Sequence, residues 1–165
     1  MRLDRRAGFE DFVAARRPHL RRLAYALCGD WHTAEDLVQS ALAKLYVAWP
    51  RVATKGAEEA YCRRILVNAR IDQSRRPSQR EVPGLESYDV ASRPVDPSNR
   101  PALVEALAQL PTMQRKTVVL RHWWGLSVTE TAAELGISEG TVKSHTSRAL
   151  ERLSALLADQ EGAPS

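Results

Sequence analysis

Between residues 139 and 148 the chain crowds together Glu139, Thr141, Lys143, Ser144, His145, Ser147 and Arg148. These side chains offer donors, acceptors and hydroxyls of the reach needed to touch base edges and phosphates in a DNA major groove. A helix that is merely solvated would favour Glu and Lys at helical spacing, and this run is instead short and hydroxyl-rich. The same residue types form no catalytic set. There is no G-x-S-x-G, no Walker-type glycine loop, no H-E-x-x-H and no G-x-G-x-x-G. Cys28 and His32 are four apart, but Gly29 intervenes and no second Cys/His pair completes the four ligands of a structural zinc site. His19, His122 and His145 have no paired spacing. No catalytic residue, metal or cofactor is expected, and the chain is read as a non-enzyme.

Such residues can act on DNA only if a rigid element presents them. Ser127 and Glu130 form S-x-x-E, the signature of a capping box at a helix start. A short helix then runs to Leu135, and Gly136 stops it in the left-handed conformation that helix ends often need. Ile137 fills the turn and Ser138 caps the next helix. Val142, Ala149, Leu150, Leu153 and Leu157 give that helix an apolar stripe. Two helices joined by a short glycine-containing turn make a helix-turn-helix. An ordinary helical hairpin with a solvated face is the competing interpretation.

The composition suits a nucleic-acid partner. In 165 residues there are 24 Lys or Arg against 20 Asp or Glu, for a net charge of +4. All but four of the basic residues are Arg, whose planar fork can hold a phosphate with two hydrogen bonds. The charge is uneven: residues 63–80 carry six Arg against one Asp, a phosphate-tracking surface or a solvated helix. Cys28 and Cys62 lie in apolar contexts and read as buried thiols of a cytoplasmic protein. No run has the length of a membrane span, and the charged N-terminus lacks the apolar core of a signal peptide.

The first half reads as three helices. Residues 9–28 have helical periodicity through Phe9, Phe12, Val13, Leu20, Leu23, Ala24 and Leu27, interrupted or entered at Pro18 and ended by Gly29. Thr33 is expected to cap a second helix with Glu35 and Asp36 in its first turn, where negative charge suits the dipole. Its inward residues are Leu37, Val38, Ala41, Leu42, Leu45, Tyr46 and Trp49, and Pro50 closes it. A loop, 51–57, precedes a third helix over 58–75 with Tyr61, Ile65, Leu66, Ala69 and Ile71 inside. Residues 77–101 hold five prolines and no apolar period, the mark of a linker. Beyond it, Leu103, Val104, Leu107 and Leu110 make a short helix. Pro111 breaks it, Thr112 caps another, and one of Trp123 and Trp124 is expected buried, the other half-exposed. The fold class is therefore all-α, two small helical domains joined by a flexible linker: 1–76, linker 77–100, 101–158 and tail 159–165.

Taken together, these segments resemble an extracytoplasmic-function (ECF) sigma factor of bacterial RNA polymerase. The resemblance covers roughly residues 8 to 158. TAEDLVQSALAKLYVAW is similar to family region 2.2, YCRRILVNARIDQSRR to regions 2.3 and 2.4, and LVEALAQLPTMQRKTVVLRHWWGLSVTETAAELGISEGTVKSHTSRALERL to region 4. VKSH and the overall shortness point to an actinobacterial subgroup. The resemblance implies a dissociable initiation subunit that binds core polymerase, recognises −35 and −10 elements of promoter DNA and helps to melt them. It implies core polymerase contacts at Glu35, Asp36 and Gln39, with first-turn dipole complementarity as the plainer role of the two acids. It implies −10 contacts at Arg64, Asn68, Asp72, Arg75 and Arg76, with 51–57 as the base-reading loop. Asn68 and Asp72 can equally serve local helix-surface bonding. It implies −35 contacts at the seven polar residues 139 to 148. A free monomer and a possible anti-sigma factor follow from the same resemblance. Many members carry Arg where His145 stands, Leu where Thr146 stands and Trp where Tyr61 stands; a histidine reaches less far, and Tyr61 is read as core packing first. The rivals are a stand-alone helix-turn-helix regulator, which would bind duplex DNA as a dimer without polymerase, and a small helical enzyme or metal module.

Overall fold

The computed structural model describes residues 2–69 and 101–161. All of it is helix or turn, and no strand occurs among the described residues. The chain divides into two compact units, one within residues 1–92 and one within 93–165. The expected linker, Asp72, Arg75 and Arg76 lie outside the described residues.

In the first unit α1 (Arg2–Cys28) packs on α2 (Trp31–Ala53), and α3 (Glu58–Asn68) packs on both. The core is Leu20, Leu23, Ala24 and Leu27 of α1, Val38, Ala41, Leu42, Leu45 and Trp49 of α2, and Cys62, Leu66 and Val67 of α3. Helix α1 begins earlier than its apolar period and is not broken by Pro18. Pro18 and Ala14 both lie on the exposed side, so water can take the Ala14 carbonyl that loses its helical donor. Gly29 ends α1 at φ 77°, its N–H bonded to the Tyr25 carbonyl.

Asp30, not Thr33, caps α2. Its carboxylate accepts from the His32 and Thr33 N–H groups, and from the Thr33 hydroxyl at 2.6 Å. The helix therefore starts at Trp31, which moves Glu35 and Asp36 out of the first turn and weakens their dipole role. Pro50 lies inside α2 rather than at its end. Its missing N–H would have served the Tyr46 carbonyl, and Arg5 Nη2 donates there instead, at 2.7 Å. Tyr46 is exposed, not inward: the Arg5 guanidinium lies over its ring and Phe9 packs edge-on against it. Helix α3 stops at Asn68, short of the expected 75, because Ala69 is extended.

In the second unit α4 (Pro101–Ala108) and α5 (Thr112–Val118) continue into a π-helical turn, Val119–Trp123, followed by α6 (Val128–Leu135) and α7 (Glu139–Glu161). Pro111, not Thr112, occupies the cap position of α5. Helix α7 packs on α4, α5 and α6 through Val142, Ala149 and Leu153. Leu150, expected in the stripe, is exposed, and both Trp123 and Trp124 are half-exposed.

Candidate nucleic-acid interface

Local chemistry fixes the entry to α7. The Ser127 hydroxyl accepts from the Glu130 N–H at 3.0 Å, and the Glu130 carboxylate accepts from the Ser127 N–H at 3.0 Å, so the capping box is closed. Gly136 is left-handed at φ 67°, a conformation that a β-carbon disfavours. The Ile137 N–H then donates back to the Ala132 carbonyl at 3.1 Å, locking the turn. Ser138 caps α7: its hydroxyl accepts from the Thr141 N–H at 3.1 Å and lies 2.8 Å from the Thr141 hydroxyl.

This cap sorts the seven polar residues. Glu139, Lys143, Ser144, Ser147 and Arg148 are exposed. The Thr141 hydroxyl is engaged by the cap, and His145 is half-buried with an enclosed Nδ1 that has no hydrogen-bond partner. Lys143, Ser144, Ser147 and Arg148 recur at the three- and four-residue spacing that shares one helix face. Glu139 is tied to α6, where Thr129 Oγ1 donates to its Oε1 at 3.1 Å.

The first unit offers two surfaces. On α2, Asp36 and Gln39 are exposed, whereas the Glu35 carboxylate turns back onto α1, paired with Arg17 at 3.1 Å and with Arg21. Glu35 thus differs from Asp36 and Gln39 in its surroundings. Arg64 and Asn68 are exposed four residues apart on α3. Between α2 and α3 lies an open groove of about 530 Å³, lined by Lys44, Val47, Ala48, Pro50, Arg51 and Tyr61. It sits beside the turn at Thr54–Gly56, the shortened form of the expected 51–57 loop, with Gly56 at φ 64°. Tyr61 borders this groove and is half-buried rather than wholly core. The sequence reading missed Lys44 and Val47. The signal was present: a branched apolar residue, Val47, 78% exposed, stands between two cations on the polar side of an otherwise well-patterned helix.

Other reactive groups are muted. Cys62 is fully buried, and burial, with Glu59 nearby, pushes its thiol up to about 12, so it is neither a nucleophile nor a ready metal ligand. The Cys28 thiol donates to the Asp30 carbonyl at 3.2 Å. Among the described residues no group of three or more His, Cys, Asp or Glu is placed to hold a metal. No described helix is long and apolar enough to cross a membrane.

Comparison with known proteins shows the family. Residues 12–80 match the family model for sigma-70 region 2, and residues 100–153 match sigma-70 region 4. The chain is 42% identical to the RNA polymerase sigma-E factor of Streptomyces avermitilis, over 88% of this chain and 82% of that one. The chain belongs to the ECF sigma factors of RNA polymerase. It is also 34% identical to the ECF sigma factor SigM of Mycobacterium tuberculosis, over 92% of this chain and 78% of the relative. Among solved structures it resembles the sigma factor RpoE of Bartonella quintana, crystallised with the anti-sigma factor NepR. The TM-score is 0.65 at 28% identity, covering 92% of this chain and 97% of that one. As an ECF sigma factor, the protein binds core RNA polymerase and promoter DNA and directs promoter-specific initiation.

Proposed function

We propose that the two helical units divide the promoter between them. The second unit, over residues 101–158, reads the −35 element through the exposed face of α7, with Lys143 and Arg148 on phosphate or guanine and Ser144 and Ser147 at closer range. The observation that carries this is the outward row of those four residues on a helix whose start is locked by Ser138 and whose turn is fixed by Gly136. The first unit, within residues 1–76, binds core polymerase through Asp36 and Gln39 and the melted −10 strand through Arg64 and Asn68. Asp72, Arg75 and Arg76 take part in −10 binding too, and residues 77–100 serve as the tether. The groove bounded by Lys44, Arg51 and Tyr61 suits an unstacked base, since an aromatic side offers stacking and two cations hold the flanking phosphates.

The protein performs no catalysis of its own, works in the cytoplasm and is a monomer when free. An anti-sigma partner is a natural regulator, since the Bartonella quintana relative was solved bound to one. Run-off transcription with purified core polymerase on a genomic promoter library tests the whole. Specific initiation that requires both core enzyme and this chain is expected. Tight duplex binding by a dimer without polymerase, and no initiation, would favour a stand-alone regulator.

A further inference from the structure

We propose that Glu139 is a specificity-determining residue that accepts a hydrogen bond from the amine of a cytosine in the −35 element, and that Thr129 is the positioning residue that fixes it. The inference rests on α7 being the recognition helix. Thr129 stands in the first turn of α6 and Glu139 opens α7, and the 3.1 Å bond from the Thr129 hydroxyl to Glu139 Oε1 links the two helices. Both residues are exposed, so this bond is no part of the core. Glu139 forms no ion pair among the described residues, and its second carboxylate oxygen remains an acceptor.

A carboxylate facing DNA is repelled by every phosphate, so it weakens sequence-independent binding. Complementing the helix dipole would not require Thr129, because any rotamer at the first turn does that. Holding one rotamer matters when the free oxygen must meet a particular atom. The base edges then select the partner. In the major groove, cytosine presents an amine donor without an adjacent acceptor. Adenine sets N7, an acceptor, beside its amine, and guanine and thymine present acceptor oxygens. An acceptor-only group therefore fits cytosine and is repelled by the others.

The test is run-off transcription by holoenzyme, reconstituted from core polymerase and the full chain, on promoters randomised across the −35 element. Wild type is expected to prefer cytosine at one position by about tenfold, the ratio that corresponds to 1.4 kcal/mol. Glu139→Gln keeps an oxygen for Thr129 but adds an amide donor, so the preference at that position should move toward adenine. Thr129→Val should flatten the cytosine preference, and Thr129→Ser should restore it. No cytosine preference in wild type, or an unchanged base profile in Glu139→Gln, overturns the proposal. An unchanged profile in Thr129→Val removes the positioning role. Failure of the recognition-helix reading is distinct: Lys143→Ala with Arg148→Ala would then leave all −35 dependence intact.

Discussion

Arg5 donates to the carbonyl oxygen of Tyr46 at 2.7 Å, and that carbonyl is the one Pro50 deprives of its helical donor. A side chain from α1 thus repairs the backbone of α2 within the stretch, Lys44 to Arg51, that lines the groove. The same guanidinium covers the Tyr46 ring at 5.0 Å, and Phe9 meets Tyr46 and Trp49 edge-on. Arg5→Ala should cost about 1–2 kcal/mol, the range for a partly exposed hydrogen bond to a charged donor. Pro50→Ala returns an N–H to the helix, so the Arg5→Ala cost should shrink in that background. A double-mutant cycle by urea denaturation measures the coupling. Strict additivity would separate Arg5 from Pro50.

Glu35 and Asp36 are sequence neighbours with different surroundings. Glu35 pairs with Arg17 and Arg21 of α1 and is mostly covered, whereas the Asp36 carboxylate is 66% exposed. Glu35→Gln should lower the stability of the first unit by about 1 kcal/mol, because two arginines lose a shared partner. Asp36→Ala with Gln39→Ala should leave stability within about 0.5 kcal/mol, as exposed sites do. That pair should instead weaken core polymerase binding by about tenfold or more, the effect of removing an interface anchor. Thermal melts and a core-binding titration on the same variants separate the two roles. Normal core affinity in the Asp36 and Gln39 variant would remove them from that interface.

The parts of this fold that were legible in the sequence are those whose determinants are local. Ser127, Glu130, Gly136 and Ser138 lie within twelve residues and specify the helix-turn-helix almost alone. Asp30 competed with Thr33 for one cap, and the carboxylate prevailed because it can accept from two N–H groups and the Thr33 hydroxyl together. Pro18 and Pro50 read as breaks because the periodicity alone cannot show an exposed backbone at Ala14 or a donor arriving from Arg5. The π-helical turn, closed by the Trp124 N–H on the Val119 carbonyl, has no proline or glycine inside it to announce it. On α7, Lys143 and Arg148 were legible as outward residues. The inward turn of His145 depends on how α7 packs against α4, α5 and α6, and no single helix encodes that.

His19 supplies a pH dependence. Burial, its largest influence, lowers it from the ordinary value of 6.5; Glu59 opposes this, and Arg22 and Arg16 reinforce it. The native state therefore holds its proton less well than the unfolded chain. Stability should be highest above the ordinary histidine range and should decline as pH falls through about 6.5, until the folded group protonates too. His19→Gln removes this contribution. Urea denaturation at about pH 7.5 and about pH 5.5 should show a smaller acid loss in the variant than in wild type. An equal loss in both proteins would assign the dependence to other groups.

Lys143 and Arg148 are exposed cations five residues apart on the face of α7 that carries Ser144 and Ser147. If each neutralises one phosphate, each releases condensed counterions on binding. Holoenzyme affinity for a cognate promoter should then fall linearly with the logarithm of salt concentration. Lys143→Ala should reduce that slope by about one, with similar loss on every −35 sequence. Arg148→Ala distinguishes two geometries for the longer side chain. A phosphate contact gives the same uniform loss, whereas bidentate contact with guanine costs about 1–3 kcal/mol at one base position and relaxes specificity there. Filter-binding or fluorescence titrations across salt, repeated on single-base promoter variants, read both quantities. A slope unchanged in either variant would place that residue away from the backbone of the −35 element.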